Sequence, residues 1–150
     1  MTLLNTDTMK KQIILFVRGE QIYEDMEPEV TELMTEGVME MEDGTMRLSY
    51  EETELTGMEG TVTTFTIQGD TVLLERTGAV ESRMEFRRGE RSSSLYETPW
   101  GTMVVDIATS KLSHKIGERG GVLEICFSIA VNHQIAGENR FKIRVKEITR

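Results

Sequence analysis

Several polar side chains with useful chemistry fall at positions that strand alternation directs inward. Tyr50 and Glu52 continue a run in which the even-numbered positions are apolar, and Arg76 does the same in a later run. A third set shares one face of residues 92–98, and it includes Ser94, Tyr96 and Thr98. Together they predict an interior with an arginine, a carboxyl group, two phenols and hydroxyls, the kind of convergent polar set that fixes a ligand.

The charge on Arg76 is the most demanding member of this set. A buried, unpaired charge is very costly, so we expect a carboxylate partner, and the pattern makes Glu52 the nearest one. One interpretation is a satisfied hydrogen-bond network near the mouth of a barrel. The other is the polar end of a small-molecule pocket, in which the planar guanidinium of Arg76 binds an anionic group.

Catalysis by carboxylates is a further interpretation. Glu52 and Glu54 are two residues apart, which on a strand places them on one face about 7 Å apart. Such a pair can do acid–base work if the two pKa values differ, but acidic clusters are usually solvated. The only imidazoles, His114 and His133, lack metal-ligand spacing, so we expect no metal and no cofactor, and enzymatic activity is not favoured.

The elements that must position these residues read as strands. Turn signals such as Asp43-Gly44 and Gly69-Asp70 recur at nearly even spacing between runs rich in Thr, Val, Ile and Phe. Residues 30–42 also fit helical spacing, but Gly37 and the following turn favour a strand. The sequence therefore predicts an all-β fold, a closed antiparallel up-and-down barrel of about 8–10 strands, with a β-sandwich as the second choice.

Length and net charge limit the number of domains and the classes of partner that the sequence allows. The 150 residues predict a single barrel domain over residues 1–150, with residues 1–10 loosely ordered. We expect neither a membrane segment nor a signal peptide, because the sequence shows no long apolar run and no apolar leader. Together with the lone Cys126, this makes a cytoplasmic location the simplest expectation. The net charge of −9 argues against nucleic acid as a partner. Residues 1–60 carry 15 acidic and 4 basic side chains, so the excess of negative charge lies there.

Four stretches together resemble one known family. They are Tyr50-Glu51-Glu52-Thr53-Glu54-Leu55-Thr56-Gly57-Met58-Glu59-Gly60-Thr61; Arg76-Thr77-Gly78 with Ser82, Met84 and Phe86; Ser94-Leu95-Tyr96-Glu97-Thr98-Pro99-Trp100-Gly101-Thr102; and Gly137-Glu138-Asn139-Arg140-Phe141. The combination is similar to the YwiB family (DUF1934). This resemblance implies a calycin-like, lipocalin-like barrel, bacterial and cytoplasmic, with no assigned biochemical function. Family members often carry His where this chain has Ser92 and Tyr where it has Trp100.

The function favoured by these observations is the binding of a small, partly apolar or anionic ligand inside the barrel. We expect Tyr50, Glu52, Arg76, Ser94, Tyr96 and Thr98 to be the ligand-binding residues. Two alternatives stay open: a protein-interaction barrel that acts through its acidic outer surface, and an enzyme for a small substrate that uses the inward carboxylates. Both a monomer and a homodimer are compatible with the sequence.

Overall fold

The computed structural model describes residues 9–23, 26–98 and 100–149, and the side chains of 96–98 and 135–136 are outside that description. Ten strands follow one another: β1 (Met9–Ile22), β2 (Glu29–Glu42), β3 (Thr45–Glu51), β4 (Thr61–Gln68), β5 (Thr71–Gly78), β6 (Ser82–Arg87), β7 (Arg91–Thr98), β8 (Gly101–Gly117), β9 (Gly120–Val131) and β10 (Gln134–Glu147). A single 3₁₀ turn, Glu54–Thr56, lies between β3 and β4. The predicted strand over residues 30–42 is confirmed as β2, and β1 begins at Met9, within the segment expected to be loosely ordered.

All ten strands form one antiparallel sheet in the order β6-β5-β4-β3-β2-β1-β10-β9-β8-β7. The first and last strands of the chain pair directly, with Leu15 opposite Val145. Every other pair in the sheet joins strands that are consecutive in the sequence, as an up-and-down barrel requires. The all-β barrel prediction is therefore confirmed, since the sheet curls round until its two edge strands, β6 and β7, meet.

The meeting of β6 and β7 is a seam in an otherwise continuous sheet. In the described residues these two strands share no paired ladder. One hydrogen bond joins the two edges, in which the Ser92 hydroxyl donates to the Glu85 carbonyl at 2.8 Å. The Gly89 amide, in the connection between β6 and β7, donates to the Thr109 carbonyl of β8 at 3.0 Å. The barrel is thus nearly closed, with a groove along one side.

Alternation along the strands fills the interior with apolar side chains. In β6, Phe86 is fully buried while Arg83 and Arg87 face solvent. Aromatic rings meet across the middle of the barrel, where the centroids of Phe86 and Phe127 are 4.7 Å apart and those of Phe127 and Phe141 are 5.7 Å apart. No helix in the described parts of the chain has the length and apolar character needed to span a bilayer.

Candidate functional site

A cavity of about 360 Å³ opens at one end of the barrel. This end, here called the mouth, carries the connections between β1 and β2, β3 and β4, and β5 and β6. Part of the cavity wall is apolar, with Leu33, Met84, Phe127, Ile129 and Phe141. Because Phe127 and Phe141 also belong to the aromatic cluster of the core, that cluster forms the floor of the cavity.

Three of the predicted site residues line this cavity: Tyr50, Glu52 and Arg76. Strand register explains why they meet. Tyr50 on β3 is opposite Thr63 on β4, and Thr63 is opposite Arg76 on β5, so the three form one row across neighbouring strands. Glu52 follows Tyr50 by two residues, and its amide donates to the Thr61 carbonyl at 2.8 Å, which keeps its side chain on the same inner face.

The Glu52 carboxyl group is held by two threonine hydroxyls. Thr63 donates to one oxygen at 2.5 Å, and Thr56, in the 3₁₀ turn, donates to the other at 3.0 Å. Glu52 is 5% exposed and Thr63 is fully buried, so these bonds supply the partners that a buried carboxyl group needs. Glu52 therefore ties the connection between β3 and β4 to the wall of the barrel.

Tyr50 presents an un-ionised phenol beside this group. Burial raises the pKa of the Tyr50 hydroxyl well above its usual value of 10, and the negative charge of Glu52 raises it further, although the guanidinium of Arg76 acts in the opposite direction. The hydroxyl is thus a hydrogen-bond donor across the physiological pH range. Tyr50 itself is only 5% exposed, so any partner in the cavity would reach it from inside the barrel.

Arg76 does not form the ion pair with Glu52 that the sequence predicted. In the described parts of the chain no carboxylate lies within ion-pair distance of its guanidinium, and its Nε atom is buried without a hydrogen-bond partner. The prediction was wrong because two hydroxyls already bind Glu52, one of them from the turn that follows it. The cationic side chain of Arg76 thus lines the cavity without a carboxylate partner among the described residues.

The predicted pairing of Glu52 with Glu54 on one strand face is also wrong. Strand β3 ends at Glu51, and Glu54 begins the 3₁₀ turn, where it is exposed. The Thr53 side chain accepts a hydrogen bond from the Leu55 amide at 3.2 Å and so starts this turn as its N-cap. The two carboxyl groups therefore lie in different environments, one buried and one in solvent.

The remaining predicted site residues lie on β7. Ser94 is opposite Val105, an inward residue of β8, but it lines the groove at the seam with Ser92 and Glu85 instead of the mouth cavity. Tyr96 and Thr98 follow on β7, where they pair with Met103 and Gly101 of β8, and their side chains lie outside the described residues. The structure therefore brings together half of the predicted set.

Sequence reasoning missed other residues of the mouth. Glu20 and Arg140 line the cavity, and the carboxylate of Glu20 lies 3.6 Å from the guanidinium of Arg140. Glu29 and Asn139 also contribute to the wall. The cross-strand register of β1 with β10, which pairs Glu20 with Arg140, is the signal that would have found this pair, and register is set by long-range pairing that alternation does not reveal.

The motif around Gly78 shapes the wall that carries Arg76. Gly78 has a φ of 113°, and a Cβ atom there would lie 2.3 Å from the Gly60 carbonyl oxygen. That oxygen accepts a hydrogen bond from the Ala79 amide at 3.1 Å, while the Thr61 hydroxyl accepts one from the Val80 amide at 3.1 Å. This close approach holds the end of β5 against the connection between β3 and β4.

In the described residues no three His, Cys, Asp or Glu side chains are grouped as metal ligands. His114 bonds the Gly69 carbonyl through Nε2 at 2.7 Å, near the end of the barrel opposite the mouth. His133 lies in an exposed turn, with Nδ1 3.4 Å from a carboxylate oxygen of Asp106. The donors that the mouth offers are the hydroxyl and guanidinium groups described above.

The ten-stranded meander with a cavity at one end defines a calycin-like β-barrel protein. The chain belongs to the family described as a domain of unknown function, DUF1934, whose model matches residues 16–143. Its structure is similar to the crystal structure of the YwiB protein from Bacillus subtilis, with a TM-score of 0.81 and 21% sequence identity over 95% of this chain and 96% of that one. No curated protein matches the sequence.

Proposed function

We propose that this barrel binds a small, partly apolar molecule with an anionic group, and that the molecule enters through the mouth. The observation that carries the proposal is the Arg76 side chain, which lines the cavity and has no carboxylate within ion-pair distance among the described residues. A partly buried cation is costly to hold without an anion, so a guanidinium in this position favours an anionic partner in the cavity.

The surroundings of Arg76 favour an anion with an apolar body. Tyr50, whose phenol interacts with the Glu52 carboxyl group, lies on the same wall, and Tyr50 and Arg76 lie on either side of Thr63. A carboxylate, sulfonate or phosphate matches the planar fork of a guanidinium. The aromatic floor of Phe127 and Phe141 suits a hydrocarbon or aromatic portion, and about 360 Å³ accommodates a small organic acid but not a polymer.

A matched ligand panel tests this proposal. Medium-chain fatty acids and aryl carboxylates are titrated calorimetrically beside the alcohols or amides of the same skeleton. We expect the acids to bind and the neutral counterparts to bind at least tenfold more weakly, because a charge-assisted hydrogen bond is worth about 1.5–3 kcal/mol. Equal binding of acid and neutral counterpart, or no binding by any member, would contradict it.

The Arg76→Met variant distinguishes binding at the proposed site from nonspecific binding to apolar surface. Methionine keeps an unbranched side chain of similar length but removes the donors, so we expect the preference for acids to disappear. Arg83→Met is the control, since Arg83 is exposed on the outer face of the neighbouring strand β6. A reducing cytoplasmic compartment, which the lone Cys126 favours, is the proposed setting for this activity.

A further inference from the structure

Exposed apolar side chains of three strands, together with Arg144 of β10, form a row across the outer face of the sheet. Met34 on β2 is 68% exposed, Phe16 on β1 is 38% exposed and Val122 on β9 is 36% exposed. Register places Met34 opposite Phe16, Phe16 opposite Arg144, and Arg144 opposite Val122. Single exposed hydrophobic residues are ordinary, whereas neighbouring ones such as Met34 and Phe16 are more typical of an interaction surface.

Charges of opposite sign border this row on its two sides. On β2, Glu32 and Glu36 lie on either side of Met34, and on β10, Lys142 and Lys146 lie on either side of Arg144. We call the two glutamates the acidic stripe and the two lysines the basic stripe. Strand β1 separates them, and it pairs with both β2 and β10.

The outward residues of β1 between the stripes are partly apolar and partly charged. Ile14 lies between Glu36 and Lys146, and Arg18 lies between Glu32 and Lys142. The Phe16 ring is already covered on one side by Arg144, whose guanidinium carbon is 5.6 Å from the ring centroid. Arg18 is 3.9 Å from Glu32, so the acidic stripe partly engages it.

We infer that two copies of this chain pack face to face through this row, related by a two-fold axis parallel to β1. That axis exchanges the two sides of the face, so the acidic stripe of one copy lies over the basic stripe of the partner subunit. This axis leaves the position of each residue along the strand direction unchanged. Glu36 therefore lies opposite Lys146 of the partner subunit, and Glu32 lies opposite Lys142 of the partner subunit.

The same axis stacks the apolar centre on itself. Phe16 and Ile14 lie on β1, close to the axis, so each contacts its own equivalent. Met34 lies over the strand that carries Arg144, close to Phe16 of the partner subunit, where its flexible thioether side chain can pack. A two-fold axis perpendicular to the strands would instead place β2 over β2 and set glutamate against glutamate. The charges therefore favour the axis parallel to the strands over the perpendicular one.

Reversing the charges of one stripe at a time tests the proposed dimer, because two complementary variants should dimerise only when they are mixed. One variant carries Glu32→Lys with Glu36→Lys, and the other carries Lys142→Glu with Lys146→Glu. Each makes both stripes of one sign, so we expect each alone to raise the dimer dissociation constant at least tenfold in sedimentation velocity at low salt. Mixing the two restores complementarity across both stripe contacts, so an equimolar mixture is expected to dimerise again as a heterodimer.

The control variant carries Asp70→Lys with Glu90→Lys, which changes the net charge as the Glu32→Lys, Glu36→Lys variant does, but at exposed connections away from the row. It is expected to dimerise like the unmodified protein. All of the substitutions lie on outward or loop positions, and circular dichroism checks that the fold is kept. An unmodified protein that stays monomeric at low salt, or a mixture of variants that fails to dimerise, would overturn the inference, as would reversal variants that dimerise unchanged.

Discussion

Arg76 is the residue at which we expect one substitution to raise the stability of the protein and to weaken ligand binding. Replacing it with methionine removes the buried Nε donor that has no partner, together with the rest of the guanidinium. A buried unsatisfied donor costs about 1–3 kcal/mol, and methionine restores part of the packing of the arginine stem. We therefore expect the free energy of unfolding to rise by up to about 1 kcal/mol, allowing for incomplete packing of the new side chain.

In a domain of this size a gain of that order raises the Tm by about 2–4 °C. Binding of an anionic ligand should move in the opposite direction. Loss of one charge-assisted hydrogen bond costs about 1.5–3 kcal/mol, so the dissociation constant should rise roughly tenfold to 150-fold.

Urea denaturation and calorimetric titration measure the two effects on the same protein sample. The Arg83→Met variant, on the outer face of β6, should change neither quantity appreciably. If Arg76→Met instead destabilised the protein by more than about 2 kcal/mol, the guanidinium would have an essential structural partner, and its proposed role as a ligand-binding group would lose its basis.

Three further predictions concern the same wall. Glu52→Ala should lower the free energy of unfolding by about 2–4 kcal/mol in urea denaturation, because it leaves the buried Thr63 hydroxyl without its acceptor. The raised pKa of Tyr50 means that the unfolded chain loses this proton first, so stability should fall by about 1.4 kcal/mol per pH unit above pH 10, and Tyr50→Phe should remove that slope in denaturation from pH 9 to 11. Gly78→Ala should destabilise by several kcal/mol, whereas Gly117→Ala, which has open space around the new methyl group, should change stability by less than about 1 kcal/mol on thermal unfolding.

The fold could be predicted from the sequence because alternation and turn residues act locally. The run from Ser82 to Arg87 shows this, since its apolar side points inward and its charged side faces solvent. Residues 30–42 are the most ambiguous segment, because their apolar spacing also fits a helix. Gly37 and the Asp43-Gly44 turn favour a strand, and the structure confirms a strand there. Which two strands would be left as the seam could not be predicted, since closure depends on the geometry of the whole sheet.

The site could be predicted only in part, since alternation gives a direction but not a partner. It placed Tyr50, Glu52 and Arg76 toward the interior, where all three line the cavity. It could not show that the chain would leave β3 after Glu51 and bring Thr56 back to Glu52. That turn decides which group Glu52 bonds, and it leaves Arg76 without a carboxylate partner among the described residues.

The presence of a cavity could not be predicted from the sequence either. Phe127 and Phe141 belong to strands whose alternation directs them inward, and a packed core would look the same in the pattern. Whether inward side chains fill the barrel depends on how ten strands splay at its mouth, which no local pattern records.

The most direct test of the proposed function uses two probes that differ by one charged group. Anilinonaphthalene sulfonate carries an anionic sulfonate on an aromatic skeleton, and phenylnaphthylamine has the same skeleton without it. Fluorescence titration of the unmodified protein and of Arg76→Met gives four dissociation constants. The proposed function predicts saturable binding of the sulfonate at least tenfold tighter than that of the neutral probe, with the difference lost in Arg76→Met and kept in Arg83→Met. Equal binding of both probes by the unmodified protein, or a preference that survives in Arg76→Met, would contradict it.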